Sequence, residues 1–480
     1  MAQLEPRSRR GPRLFQVLLL PLLFHFFQGR DFCAAKAGGP ARQSQYRTWR
    51  STPPVQRAAL PILGDTLQLL NGKTMSSYQV DGRRKFGNVW KTSVLFKKAV
   101  IITGAAELAE AMKQESRPNA TKAFFPPHHQ RLFGTQSLLM QSGPPHRKLR
   151  RLVQAAMIPK AVSSYVETIN EGVSEFLEKC KSQDGPFSMV EMLRTATVTT
   201  MLKILFGRQA SASEIKNLIE DVSTWSDGLL SAPLTFLPWS NAARAMRARA
   251  RVAKIIQGWI QSCAEGDGTL LSRLVFTEDE DGARLTKEEI VDNVFTLVFA
   301  ATDTTASSLS SSFLALSRHP DLQQQLREVC SEEDMETVDR NLDAFLSEVL
   351  RTSPPAPFAM RLVEEDLEVS KVPVPAGWLM VYGFAGTLLC DAERYPQPKE
   401  FLWNRTFSDG QGQSLDEAAF GGGPRMCPGR FLAAQVAKTV LREVLGPGGF
   451  RWELEPGQDL SQRYTPGLFP VDGLQVVLKK

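Results

Sequence analysis

One long apolar segment in the second half of the chain most constrains the fold. The run Thr286-Lys287-Glu288-Glu289 has the pattern of a capping box, in which a threonine and a glutamate three residues later each accept a hydrogen bond from the other's backbone amide. The segment after it is apolar almost all round until Pro320, which predicts a buried helix of about 30 residues. At ~1.5 Å per residue this helix is more than ~40 Å long, so it must cross the middle of the molecule.

The rest of the apolar pattern predicts a mainly α fold. Most of residues 105–352 place apolar side chains at helical spacing. Strand-like runs occur towards the two ends of the chain, at 89–103, 367–384 and 473–480. No repeat and no linker divides the chain after residue 60. We therefore expect one large helical domain with a smaller β-rich part, over residues 56–480.

The charge distribution separates a basic leader from the rest of the chain. Residues 1–60 carry a net charge of +8 and the other 420 residues carry −2, which argues against nucleic-acid binding by the folded part. Leu14–Phe27 is an apolar run too short to span a bilayer, and Lys36–Leu60 has no acidic residue. Residues 1–55 are therefore predicted to be a leader outside the domain. It is either a signal and transit segment for a plastid or a plain membrane anchor, as at the endoplasmic reticulum.

Cys427 is the one cysteine with a distinctive setting. The six cysteines are scattered and form no C-x-x-C pair, so a disulfide scaffold and a zinc ribbon are disfavoured. Cys427 follows the glycine-rich loop that starts at Phe420 and precedes a predicted helix over residues 430–445. Free amides at a helix N-terminus favour a thiolate, and Gly429 has no Cβ to keep a large partner away from the helix start. The loop lacks the G-K-[ST] or G-x-G-x-x-G pattern of a nucleotide site.

The middle of the long helix carries polar residues that admit two interpretations. Asp303 lies between Thr302 and Thr304, directly after Ala300 and Ala301. In the first interpretation the hydroxyls bond to carbonyls one turn earlier and Asp303 reaches a cationic partner. In the second, the acid and the alcohol form a proton relay beside a notch of small residues, where a flat cofactor could approach the backbone.

Taken together, these motifs resemble the cytochrome P450 family of haem-thiolate enzymes. The pattern F-x-x-G-x-R-x-C-x-G is met over residues 420–429, and [AG]-G-x-[DE]-T-[TS] over residues 300–305, with Ala301 where Gly is usual. E-x-x-R is met at Glu348 and Arg351, and Arg405 is similar to the family's later arginine. The resemblance covers about residues 55–480. It is strongest to the branch of retinoic acid hydroxylases, plant steroid-hormone oxidases and cyanobacterial relatives, and the W-x-x-x-R motif here reads His146 to Arg150.

The resemblance implies a P450 fold with the long central helix lying over haem b. It implies Cys427 as the thiolate ligand of the iron, with Phe420 shielding the sulfur and Thr304 and Asp303 passing protons to bound dioxygen. Glu348, Arg351 and Arg405 would form a structural triad. The remaining residues implied to bind the cofactor either pair with its propionates or lie against it, and they are Arg425, Arg361, Arg150, His146, Gly429, Ala300 and Ala301.

The activity implied by the resemblance is insertion of one oxygen atom from O2 into a C–H bond of a lipophilic substrate such as a retinoid, carotenoid, sterol or other isoprenoid. The chain has no flavin or nicotinamide motif, so a separate electron donor is expected, either an NADPH-dependent reductase or a ferredoxin. The basic stretch 147–151 is a candidate docking site for it. Membrane association through the N-terminus and a monomeric state are expected.

Two other functions stay open from the sequence: a haem-thiolate isomerase or dehydratase acting on hydroperoxides, and a non-catalytic haem-binding protein. The pair Asp303 and Thr304 argues against both, because neither would need a proton relay. Substrate contacts are expected from the segments 115–140, 225–240 and 355–362. Their apolar character rests on five phenylalanines: Phe124, Phe125, Phe133, Phe236 and Phe358.

Overall fold

The long helix predicted from the capping box is present. In the computed structural model, which describes residues 65–479 except 67, 69–74, 96, 126, 208–211, 230, 232, 333, 406–418 and 466, this helix spans Lys287–Arg318. Both capping-box bonds form, because Thr286 Oγ1 accepts from the Glu289 amide (3.2 Å) and Glu289 Oε2 accepts from the Thr286 amide (2.7 Å). The helix ends before Pro320, as predicted. The predicted leader, residues 1–55, lies outside the described residues.

The other helices are numbered in chain order, and the long helix is α11. Apolar residues at helical spacing predict one helix over residues 159–182, but it is divided at Ser164 and Tyr165, where the Tyr165 hydroxyl donates to the Ala156 carbonyl (3.0 Å). The remaining ranges are α1 Met75–Phe86, α2 Ala105–Glu115, α3 Pro127–Phe133, α4 Gly143–Ala155, α5 Pro159–Ser163, α6 Val166–Lys181, α7 Met189–Phe206, α8 Ala212–Leu229, α9 Asn241–Ser262, α10 Leu270–Phe276, α12 Pro320–Val329, α13 Met335–Thr352, α14 Phe384–Leu388 and α15 Arg430–Leu445.

The strands come from both ends of the described chain, as the strand-like runs predicted. Residues 89–94 pair antiparallel with residues 97–102, and Leu95, with φ of 50°, lies between the two strands. The strands are β1 Val89–Val94, β2 Lys97–Ile102, β3 Thr121–Ala123, β4 Phe187–Ser188, β5 Ala359–Val363, β6 Leu367–Val369, β7 Val372–Val374, β8 Leu379–Tyr382, β9 Arg451–Leu454, β10 Gln462–Tyr464, β11 Leu468–Pro470 and β12 Gln475–Lys479.

A five-stranded sheet joins the N- and C-terminal parts of the described chain. Its order is β1-β2-β8-β5-β3, in which β2 and β8 run parallel, with Val100 opposite Met380, and the other pairs are antiparallel. The smaller sheets are β4-β12-β9, β10-β11 and β6-β7. The central pairing brings β5 and β8 next to the N-terminal hairpin, and both strands carry residues of the site described below.

The main core surrounds α11. Phe295, Leu309 and Phe313 are at most 1% exposed and pack in one cluster with residues of the flanking helices. The five-stranded sheet has apolar clusters of its own on each side, one around Trp90 and one around Met380. A large helical mass with a smaller β-rich part confirms the predicted fold class.

Within the described residues, none of the helices combines the length and the apolar character that crossing a membrane would need.

Candidate active site

An apolar-lined cavity lies where α11, α13, α15 and the five-stranded sheet meet. It contains about 1610 Å³ of space free of protein atoms, including its open mouth. Ala300, Ala301 and Thr304 of α11 line it, as do Cys427 and the residues around it. The cavity explains why Ala300, Ala301 and Thr304 are accessible on α11, which is buried along most of its length. The small side chains of Ala300 and Ala301 leave space beside the helix backbone there.

The glycine-rich loop positions Cys427 at the cavity. Gly421 (φ 72°) and Gly423 (φ 60°) adopt left-handed backbone conformations, which glycine accepts without a steric cost. A short 3₁₀ turn over Gly423–Arg425 follows, and the Cys427 amide donates to the Phe420 carbonyl (2.9 Å) to close the loop. The thiol is free, and the helix α15 begins three residues later.

The protonation of the Cys427 thiol is set by opposing influences. Burial raises its pKa, whereas a hydrogen bond from the Gly429 backbone and the charges of Arg150 and Arg430 lower it, and burial prevails. The sequence-based expectation that the helix start alone favours a thiolate is therefore incomplete, because it leaves out the loss of hydration. A coordinating metal ion deprotonates a thiol outright, so binding of a metal ion would make Cys427 a thiolate despite its burial.

The polar residues of α11 make the bonds of the first interpretation. Thr302 Oγ1 donates to the Val298 carbonyl (2.8 Å) and Thr304 Oγ1 to the Ala300 carbonyl (2.5 Å). Thr304 still lines the cavity, and its oxygen keeps lone pairs that can accept a bond from a guest.

Asp303 is turned away from the cavity lining and pairs with a cation. Its Oδ1 lies 3.1 Å from Arg194 Nε on α7. Burial raises the pKa of Asp303, and the charge of Arg194 opposes that rise. The guanidinium of Arg194 stacks over the Phe469 ring (4.0 Å to the centroid) and is 39% exposed, so it connects the buried acid to solvent.

Two of the predicted propionate ligands, Arg361 and Arg425, line the cavity side by side. Both reach the same carboxylate: Glu115 Oε1 lies 2.6 Å from Arg361 Nε and 3.1 Å from Arg425 Nε. The Tyr382 hydroxyl donates to Glu115 Oε2 (3.1 Å). The sequence analysis missed Glu115 and Tyr382, because neither belongs to a recognised motif and the fold brings them from α2 and β8.

The other two predicted propionate ligands, Arg150 and His146, do not line the cavity. Arg150 Nη2 donates to the Met426 carbonyl (2.5 Å), next to Cys427. His146 is buried, and burial together with the nearby arginines, Arg425 first among them, lowers its pKa to about 3. An uncharged imidazole can donate one hydrogen bond but brings no positive charge to a carboxylate.

Glu348, Arg351 and Arg405 come together as a buried cluster. The carboxylate of Glu348 accepts two hydrogen bonds from Arg351 (2.7 and 2.8 Å) and two from Arg405 (3.0 and 3.2 Å). Burial alone would raise the pKa of Glu348, but these bonds outweigh it and the pKa lies below its usual value. The two guanidiniums also bind carbonyls of Leu388 and Glu400, so the cluster fastens the segment that leads towards the Cys427 loop.

The predicted aromatic contacts were wrong for this cavity. None of the five phenylalanines lines it: Phe124 and Phe133 lie in apolar cores, and Phe236 is 66% exposed. Helical periodicity does not distinguish a core phenylalanine from one that faces a cavity. The apolar lining comes instead from side chains such as Leu297, Leu346, Leu350, Met112 and Phe384. The segment 355–362 does contribute Pro355, Ala356, Ala359 and Arg361.

The basic stretch is partly neutralised within the chain. Lys148 Nζ lies 4.0 Å from Asp279, whose side chain is 4% exposed, and Arg151 Nη1 lies 3.9 Å from the exposed Glu280. Arg150 turns inward, and Arg147 is exposed.

The cavity residues fit haem b. A free thiol at a helix start is the kind of protein ligand that a haem-thiolate centre would take. Ala300, Ala301 and Gly429 leave the space that a flat macrocycle needs: the atom nearest to a Cβ at Gly429 would be Met157 Sδ, at 3.7 Å. Two guanidiniums at the cavity suit the carboxylates of the macrocycle.

Comparisons with known proteins show which family the chain belongs to. The cytochrome P450 family model matches residues 53–477. A Synechocystis sp. protein named cytochrome P450 120 is 29% identical over 434 residues, covering 87% of this chain and 95% of that protein. Human cytochrome P450 26B1 is 26% identical over 448 residues, covering 87% of this chain and 84% of that protein.

The solved structures agree as well. The structure of retinoic acid bound cyanobacterial CYP120A1 superposes with a TM-score of 0.78 at 28% identity, covering 89% of this chain and 99% of that one. The family fixes the resident cofactor as haem b and the reaction class as monooxygenation, with O2, an organic substrate and a separate redox partner. The chain belongs to the cytochrome P450 family.

Proposed function

We propose that this enzyme hydroxylates a lipophilic isoprenoid, with a retinoid as the first candidate and a carotenoid or sterol as alternatives. The observation that carries the proposal is the cavity, which is lined by apolar side chains and bounded by Cys427 and Thr304. A mostly apolar cavity with few polar groups suits a lipophilic guest. The similarity to a protein solved with retinoic acid bound supports a retinoid in particular.

The proposed roles on the Cys427 side concern holding the cofactor. Haem b, when bound, supplies one-electron chemistry and the activation of O2. Cys427 would hold the iron as a thiolate and donate electron density to it. Phe420 shields the sulfur, and Arg361 and Arg425 pair with the propionates. Arg150 and His146 are proposed to bind the propionates as well. Arg150 lies close to Cys427, because it donates to the carbonyl of Met426.

The proposed role on the α11 side is proton delivery. The Thr304 hydroxyl faces the cavity and can accept one hydrogen bond while it donates to the Ala300 carbonyl. Asp303 is the adjacent residue, and its carboxylate contacts the partly exposed Arg194. In this proposal a proton from solvent reaches Asp303 beside Arg194 and passes to Thr304, which requires the Asp303 side chain to turn from Arg194 towards the cavity. Glu348, Arg351 and Arg405 act as the structural triad.

The electron donor and the cellular location complete the proposal. Electrons come singly from an NADPH-dependent reductase or a ferredoxin that docks on the basic stretch 147–151. We further propose that residues 1–55 form a leader to the domain of residues 56–480 and associate the enzyme with a membrane of the endoplasmic reticulum or a plastid. The domain works as a monomer.

The substrate proposal is tested by spectroscopy on the purified enzyme. Titration with all-trans retinoic acid, a carotenoid and a sterol should displace the sixth haem ligand and shift the Soret band for the true class. Turnover of that ligand should need O2, NADPH and a reductase. Product formation from a hydroperoxide without O2 would instead indicate an isomerase or dehydratase, and binding without any turnover would indicate a haem carrier.

The thiolate is tested separately. The reduced protein with CO should absorb near ~450 nm because the sulfur donates to iron, and Cys427→Ser should abolish this band. Cys263→Ser, which alters another partly accessible free thiol, is the matched control and should keep it. A band that survives in Cys427→Ser would contradict the assignment of the iron ligand.

A further inference from the structure

The carboxylate of Glu115 is the common anchor of two arginines at the cavity. Its side chain is 4% exposed, and those of Arg361 and Arg425 are 12% exposed. Arg361 donates to it through Nε (2.6 Å), and Tyr382 donates its hydroxyl hydrogen to the second oxygen (3.1 Å). Glu115 itself is not part of the cavity lining, whereas its three partners are. The carboxylate therefore lies behind the groups that face the guest.

The orientation of the two guanidiniums follows from these bonds. Each uses Nε for Glu115. Arg425 Nη2 also donates to the Gln141 carbonyl (2.6 Å), and Arg361 Nη1 donates to the Met360 carbonyl (3.0 Å). The described part of the chain offers no acceptor to the remaining nitrogens, Nη1 of Arg425 and Nη2 of Arg361. Each arginine thus keeps a donor for an acidic guest while its other nitrogens are held.

The local charges show why such an anchor is needed. Burial lowers the pKa of Arg425 to about 10, and the neighbouring charge of Arg361 adds to this, while Glu115 counteracts it. Two buried cations side by side repel each other, and a shared anion offsets that repulsion before any cofactor arrives.

We propose that Glu115 is a positioning residue for haem b: it orients Arg361 and Arg425 towards the propionates and supplies a fixed negative charge next to them. The proposal rests on haem binding at this cavity. Glu115 has no contact with the thiolate or the substrate space. Its effect is therefore on how long the cofactor stays bound and on its reduction potential.

The test compares Glu115→Gln with the wild type as haem-loaded full-length enzymes. Glutamine keeps the size and one oxygen acceptor but removes the charge. We expect haem transfer to apomyoglobin to become about tenfold faster, because charge-assisted hydrogen bonds to two guanidiniums are weakened and each tenfold corresponds to about 1.4 kcal/mol. The midpoint potential should shift to a more positive value, because a nearby buried anion disfavours the reduced iron.

Asp292→Asn is the matched control. Asp292 is also a buried carboxylate paired with an arginine, Arg249, but it does not line the haem cavity. Its variant should leave haem transfer and potential unchanged. A Glu115→Gln enzyme with wild-type transfer rate and potential would overturn the proposal, whatever its melting temperature.

Tyr382→Phe provides a second route if Glu115→Gln does not fold. It removes only the hydroxyl that supports Glu115, and haem transfer should become several-fold faster with the potential almost unchanged. An unchanged transfer rate would count against the anchor. A wild-type enzyme that takes up no haem would instead overturn the proposed function as a whole.

Discussion

Replacing the carboxylate at the centre of the buried triad should have a large and specific effect on stability. Glu348 is fully buried and accepts five hydrogen bonds, two each from Arg351 and Arg405 and one from the Leu402 amide (2.7 Å). Glu348→Gln leaves two buried guanidiniums without a counter-charge. Breaking a buried ion pair on one side costs about 3–5 kcal/mol, so the free energy of unfolding should fall by that amount.

The expected change in melting temperature follows from the size of the domain. Globular proteins have an unfolding entropy of about 2.1 cal/mol/K per residue, so a domain of roughly 400 residues should melt about 4–6 °C lower in the variant. Circular dichroism at increasing temperature measures this. Glu364→Gln is the control, because Glu364 pairs with Lys122 at the exposed surface (2.7 Å), where a salt bridge contributes less than about 1 kcal/mol.

The same variant has a defined pH dependence. The pKa of Glu348 is lower in the folded protein than in the unfolded chain, so the charged carboxylate stabilises the fold above the unfolded value of ~4.3. That contribution is lost as the pH falls through the lower, folded pKa. The difference in melting temperature between the wild type and Glu348→Gln should therefore be largest at neutral pH and become smaller in acid. A variant with the same melting temperature as the wild type at pH 7 would refute the assignment of Glu348 as the counter-charge of both arginines.

Three further predictions concern turnover. Thr304→Ala should keep the haem content, but the amount of product formed per O2 consumed should fall at least roughly tenfold, because the hydroxyl at the cavity is lost. An unchanged ratio of product to O2 would contradict the role of Thr304. Arg194→Gln removes the cation beside Asp303, so the pKa of Asp303 should rise further. The alkaline limb of the pH–rate profile, where Asp303 loses the proton that it delivers, should therefore move to higher pH; an unshifted limb would show that Asp303 does not carry the proton. Arg147→Glu should slow reduction of the enzyme by its redox partner, most strongly at low salt. The control Lys254→Glu on α9 should not slow it, and equal effects of the two variants would place the docking surface elsewhere.

The sequence predicted the elements that depend on local pattern. The capping box at Thr286, the length of α11 and the loop ending at Cys427 are encoded in consecutive residues, and the structure has them where the pattern indicates. The apolar spacing of residues 105–115 likewise predicts a helix with the bounds that α2 has. Local patterns were sufficient here because capping, periodicity and glycine conformations act over a few residues.

Contacts between distant segments were not predictable in this way. Glu115 ends α2, and its partners lie 246 and 267 positions later, so nothing near Glu115 in the chain indicates them. Phe236 and Phe133 have the same apolar character in sequence, yet one is 66% exposed and the other 1%. Which face of a helix meets a cavity depends on how the helices pack, and one sequence does not specify that packing.

The parallel pairing of β2 with β8 has a consequence for biosynthesis. The strand β2, which carries Val100, cannot pair with β8 until the residues around Met380 have been synthesised. Ribosomes add about 5–20 residues per second, so this wait lasts on the order of tens of seconds in a growing chain. During that time the hairpin exposes an open edge that can pair with other chains. The five-stranded sheet, and with it the strands β5 and β8 that carry Arg361 and Tyr382, can therefore form only late in synthesis.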